Sequence, residues 1–133
     1  MTEEQIALAR RAVACKSWRW MPGMLVVDAI GKQRIYDDVA GEPYWSTDGW
    51  LPDLTDPATL GCLLALVRDA WGNSSSLYVR LSDTRRVSDG LLGWEVNGWA
   101  DAEHSPNGCP GSWRGWGYAS EAEALVAALE AAP

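Results

Sequence analysis

The stretch DPATLGCLLALVRDAWG, residues 56–72, constrains the fold more than any other part of the chain. Asp56 is a strong helix N-cap, because its carboxylate accepts from the first free amides. Pro57 suits the first helical position, where its missing N–H costs nothing. Leu60, Leu63, Leu64, Val67 and Trp71 then recur at steps of three and four as one apolar stripe, and Gly72 is placed to end the helix. A helix with a single apolar stripe must bury it against another element, so the remaining sequence has to supply a flat apolar partner.

Strand patterns supply it on both sides. Met24 to Ile30 is short and β-branched, Gly31 follows as a turn residue, and Arg34 to Val39 alternates until Ala40-Gly41-Glu42-Pro43 stops it, which reads as a hairpin. After the helix, Leu77, Val79 and Leu81 alternate with Tyr78 and Arg80. Leu92, Trp94 and Val96 alternate with Glu95 and Asn97, giving a second hairpin. Thr2-Glu3-Glu4-Gln5 reads as a capping box opening a helix to about Cys15, and Ser120-Glu121-Ala122-Glu123 as another, with Leu125, Leu129 and Ala132 as the inward stripe of the last helix. The expected fold is α+β: a single domain over 1–133, in the order α-β-β-α-β-β-α, with helices packed on an antiparallel four-stranded sheet. No linker or low-complexity segment divides the chain, and its 133 residues suffice for one core without staples.

Charge and cysteine usage narrow the function classes. Eighteen acidic against eleven basic residues give a net charge of −7, a field that repels nucleic acid and argues against direct nucleic-acid binding. From Ile35 to Val67 the chain holds Asp37, Asp38, Glu42, Asp48, Asp53 and Asp56 with no base, an acidic band that is either solubilising or a surface competing for a partner's basic groove. No apolar run approaches the roughly 20 residues that span a bilayer, and the N-terminus carries acid where a signal peptide has base, so no membrane partner and a cytoplasmic location are expected. Cys15, Cys62 and Cys109 are an odd, widely spaced set that fits reduced thiols better than a disulfide framework or a zinc ribbon.

Three blocks, ALARRAVACKSWRWMPGM, WLPDLTDPATLGCLLALVRDAWG and SEAEALVAALEAAP, resemble a family of small phage and prophage proteins without assigned activity. The element order is similar to that of the phage alpha-beta-alpha sandwich domains. The resemblance covers both ends and the middle of the chain. It implies context only: a phage-type accessory product acting in a bacterial cytoplasm, with no functional residue to carry over.

Nine tryptophans and four tyrosines stand beside no phenylalanine. An indole in a core needs a partner for its N–H, so a chain that uses only Trp and Tyr has a use for their polar edges. Two segments concentrate the feature. In SWRW, Trp18 and Trp20 flank Arg19; in SWRGWGYAS, Trp113 and Trp116 flank Arg114 among glycines that would let a ligand approach the backbone. Rings of this kind stack on planar bases and guanidinium groups bind phosphate, yet the same residues also serve as ordinary core packing. Arg85 and Arg86, in the turn SDTRRVSDG, are either a solvated hairpin tip or a phosphate clamp, and Arg68, late in the central helix, reads as structural.

Catalytic chemistry is thin. His104 is the single histidine, and with Asp101, Glu103 and Cys109 it lies in a Gly/Pro-rich loop without zinc spacing, so no metal, cofactor or catalytic residue is assigned. No phosphate-cradling glycine motif is present. Two readings follow. In the first, a non-enzymatic phage accessory protein sequesters a small nucleotide-like defence signal through Trp18, Arg19, Trp20, Arg85, Arg86, Trp113, Arg114 and Trp116, with a homo-oligomer enclosing the pocket. In the second, an inhibitor of the anti-restriction or anti-CRISPR kind presents Asp37, Asp38, Glu42, Asp48 and Asp53 to a host defence protein in place of nucleic-acid phosphates.

Overall fold

A computed structural model describes residues 1–37, 47–72, 77–81, 93–100 and 111–133, with the backbone alone at 99–100, 111–114 and 116. Among these residues three helices, α1 (Glu3–Ala14), α2 (Pro57–Ala70) and α3 (Glu121–Glu130), frame six strands: β1 (Leu25–Val27), β2 (Gln33–Ile35), β3 (Leu51–Pro52), β4 (Tyr78–Leu81), β5 (Trp94–Ala100) and β6 (Gly111–Tyr118). The class is α+β, as expected. The sheet is not. Among the described residues two three-stranded antiparallel sheets form, β2-β1-β3 and β4-β5-β6, in place of one four-stranded sheet. Each expected hairpin gains a third strand of its own: β1 is bonded on both edges by β2 and β3, and β5 by β4 and β6.

The local signals that set the helices act as read. Thr2 Oγ1 accepts from Gln5 N and Gln5 Oε1 accepts from Thr2 N, closing the capping box of α1. Asp56 caps α2 by accepting from Thr59 N at 2.8 Å, and Gly72 takes a φ of 83° just past its end. At α3 the box is displaced by one residue: Ser120 Oγ accepts from Glu123 N, but the Glu123 carboxylate accepts from Ala119 N rather than from the cap itself. In the first hairpin, Asp28 Oδ1 accepts from the amides of Ile30 and Lys32, and Gly31 adopts φ 83°.

One contiguous core joins both sheets to all three helices. Leu63, Leu66 and Val67 of α2 and its C-cap residue Trp71 meet Leu125, Ala128 and Leu129 of α3, with Met24 just before β1, Val26 of β1 and Val96 of β5 in the same cluster. The sequence AEALVAAL is apolar almost all round, and α3 is correspondingly buried on most sides, touching α1, α2, β4, β5 and β6. Its alanines let these neighbours approach closely. The Trp71 indole N–H donates to Ala128 O at 2.9 Å, so the largest ring in the core has its polar atom satisfied. Arg68 donates twice to Leu77 O, at 3.1 and 2.9 Å, tying the end of α2 to the start of β4, which bears out its structural reading.

Candidate functional site

The two tryptophan-arginine segments fold differently. SWRW follows α1 as a turn over the core. Trp18 and Trp20 are half-buried with ring centroids 5.5 Å apart, edge to face, and Trp20 stacks on Tyr36 at 5.8 Å. Arg19 reaches outward to Asp69 of α2, Nη1 to Oδ2 at 2.8 Å. The Trp18 and Trp20 rings thus pack on one another, Trp20 packs also on Tyr36, and the guanidinium between them in sequence bonds a carboxylate. The Trp18 indole nitrogen is buried without a hydrogen-bond partner among the described residues.

SWRGWGY is a strand rather than a glycine-rich cradle. As β6 it pairs with β5 in the register Asn97↔Arg114, Gly98↔Trp113 and Val96↔Gly115. The next pair is Trp94↔Tyr118, so three steps on β6 face two on β5, and Gly117 with φ 81° supplies the left-handed residue that such a bulge requires. Gly115 has its own reason: a Cβ there would lie 2.5 Å from Tyr118 Oη, because the tyrosine ring covers that position. Burial, with Glu123 and Glu130 adding to it, pushes the Tyr118 phenol above its ordinary range.

The second sheet turns one face to the helices and presents the other to solvent. Trp94, Val96 and Gly98 alternate toward the core, and Val96 is fully buried. Glu95 and Asn97 alternate to the opposite face, where β4 sets Tyr78 beside Asn97 and Arg80 beside Glu95. Asn97 Nδ2 donates to Tyr78 Oη at 3.2 Å, Arg80 Nε donates to Glu95 Oε1, and the Arg80 guanidinium lies 5.4 Å from the Tyr78 ring centroid. Tyr78 is 40% exposed. Tyr78, Asn97 and Arg114 occupy one cross-sheet row by register. The sequence reading named Arg114 and missed Tyr78, Asn97 and Glu95; the signal available was their position at the outward steps of YVRL and WEVNGW.

The acidic band divides. Asp37 and Asp48 are exposed, whereas Asp53 is 9% exposed and its Oδ1 accepts from Thr55 N at 3.0 Å and Thr55 Oγ1 at 2.6 Å, which makes it a turn-forming residue. Asp38, Glu42, Arg85, Arg86, His104 and Cys109 lie outside the described residues, as do the side chains of Trp113, Arg114 and Trp116. Cys15 and Cys62 are partly buried against the core, and burial pushes both thiols up, toward the unreactive protonated form. Among the described residues no cluster of His, Cys, Asp or Glu could hold a metal ion, and no helix is long and apolar enough to cross a membrane. No protein-family model, curated protein or solved structure matches the chain.

Proposed function

We propose that the chain is a non-enzymatic binding protein that takes a small, planar, anionic ligand of nucleotide type on the solvent face of its second sheet. The observation that carries this reading is the Tyr78–Asn97–Arg114 row with Arg80 held against the Tyr78 ring. An exposed aromatic ring is a stacking platform for a base, an amide offers donor and acceptor to a base edge, and guanidinium groups bring the charge that phosphate needs. Glu95 positions Arg80 by accepting from its Nε. The site sits on paired strands, so its geometry is set by the sheet rather than by a loop. The sequence resemblance supplies the biological setting of the proposal: a phage-type accessory protein that sequesters a host defence signal by mass action. The inhibitor reading keeps Asp37 and Asp48 at the surface but has Asp53 engaged in its own turn, so the sheet face is the better supported of the two.

Titration of the protein with a panel of cyclic and NAD-derived nucleotides, followed by tryptophan fluorescence and calorimetry, tests the proposal. At least one nucleotide is expected to bind. Tyr78→Ala and Arg80→Gln are each expected to weaken it about tenfold, equivalent to about 1.4 kcal/mol, with the melting temperature little changed. Absence of binding across the panel, or affinities indifferent to both substitutions, would overturn it.

A further inference from the structure

On the opposite side of β5 from that face, an open cleft of about 880 Å³ runs between the first turns of α1 and α3 and the turn leading into α2. Leu8, Leu54, Leu60 and Trp94 give it an apolar floor, and Glu4, Glu121 and Glu123 stand along its rim. Arg11, the one base among the described lining residues, is already engaged: Nε and Nη2 donate to the two Glu130 carboxylate oxygens at 2.9 and 2.8 Å. Glu4 and Glu121 form no ion pair with any described residue. The two helix starts do not turn the cleft into an anion site: Gln5 N goes to Thr2 and Glu123 N to Ser120, and the acidic first turns, Glu3 with Glu4 and Glu121 with Glu123, repel an anion. What remains is an apolar surface under Glu4 and Glu121, which no described base pairs with, on a chain of net charge −7.

We infer that this cleft docks a basic, apolar peptide segment of a partner protein. Aliphatic side chains would cover Leu8, Leu54 and Leu60, and a lysine or arginine would sit between Trp94 and the rim carboxylates, where the indole face and the acids both attract a cation. The volume falls within the range of about 300–1,000 Å³ typical of ligand sites, and an open cleft admits a chain segment as well as a compact molecule. This inference is independent of the nucleotide reading, since Trp94 and Glu95 point to opposite sides of the same strand.

The test is calorimetric titration of the full chain with an amidated hexapeptide, Leu-Lys-Leu-Arg-Leu-Lys, alongside counterparts in which every base is replaced by serine or by glutamate. The basic peptide is expected to bind more tightly than the serine one, with an affinity that falls as salt rises, and the glutamate peptide is expected not to bind. The double variant Glu4→Gln/Glu121→Gln is expected to lose about fivefold of the basic peptide's affinity. Asp37→Asn/Asp48→Asn, which removes the same charge elsewhere, and Tyr78→Ala are expected to leave it unchanged. No binding of the basic peptide up to about 1 mM, equal binding of the serine peptide, or an equal loss from the Asp37/Asp48 variant would each overturn the proposal. Failure of nucleotide binding alone would leave it standing.

Discussion

The two sheets solve the same pairing problem with very different lengths of chain. In the first, β1 and β2 have three residues each and β3 has two; in the second, β5 has seven and β6 eight. Short strands make few ladder bonds, and the first sheet borrows others. Thr59 Oγ1, fully buried on α2, accepts from Leu25 N at 2.8 Å and donates to Asp56 at 2.9 Å, so one hydroxyl ties β1 to the start of the central helix. In the second sheet, among the described residues, only the four-residue β4 has a comparable tie, from Arg68 of α2 to Leu77 O just before it, while β5 and β6 are long enough to do without one. Their register bonds and the α3 contacts hold them, which leaves the outer face to Tyr78, Arg80, Glu95 and Asn97. Sheet length thus decides where side chains are available for work other than holding the fold.

The largest test of this contrast is whether the sheets are separable at all. Leu125 is fully buried in the core that both sheets share, and Leu125→Ala is expected to cost about 2–5 kcal/mol through lost burial and the cavity left behind. In urea, tryptophan fluorescence and far-ultraviolet circular dichroism should still report one transition. Two transitions would mean that the sheets are independent units and that α3 is not their common support.

Next in size is Thr59→Val, which keeps the shape but leaves the Leu25 amide without its acceptor, at a cost of about 1–3 kcal/mol. Hydrogen exchange should quicken at Leu25 and its β1 neighbours and stay unchanged at Val96. Equal quickening in both sheets would show that the tie acts on the whole core rather than on the short-stranded sheet.

How far the sequence anticipates this division depends on whether the cause is local. Asp56-Pro57 and Gly72 bound α2 through contacts within a turn, and Gly31 marks the first hairpin through its own dihedral, so these elements are readable from adjacent residues. β6 is not, because Gly115 and Gly117 break its alternation, and their causes are the Tyr118 ring and a bulge opposite β5. β3 is hidden for a different reason: two residues carry no period, and Pro52 is acceptable only because it lies on an edge strand. Missing those two strands turned two sheets into one. The site follows the same logic. Trp18 and Trp20 stand out by composition, while Tyr36 and Asp69, which determine what Trp20 and Arg19 do, are distant in sequence; the Tyr78 row emerges only once three strands are in register.

Gly117→Ala probes the bulge directly. At φ 81° an alanine is strained, and a loss of about 1 kcal/mol is expected, together with weakened nucleotide binding if the bulge sets the β6 register that places Arg114 beside Asn97. A stability loss without any change in binding would detach the ligand face from the bulge.

The smallest effect lies between the helices, where Arg11 of α1 bonds Glu130 of α3 outside both sheets. The Arg11 hydrogen bond holds the Glu130 carboxyl below its ordinary range, against the opposing pull of partial burial. A carboxyl with a folded value below its unfolded one releases its proton more readily when folded. Its contribution is therefore complete above the unfolded value of about 4.3 and fades as pH falls through the folded value. Both side chains are more than a third exposed, at 47% and 38%, so solvent screening keeps the contribution below about 1 kcal/mol. The wild type should thus lose slightly more melting temperature than Glu130→Gln between about pH 5 and pH 3, and the two should run parallel from pH 5 to pH 8. Salt should narrow the difference, because a surface ion pair is screened while the α3 core beneath it is not. Parallel curves through the acid range would assign the docking of α1 on α3 to Ala9, Ala12 and their apolar neighbours alone, the buried contacts that the two helices contribute to the common core.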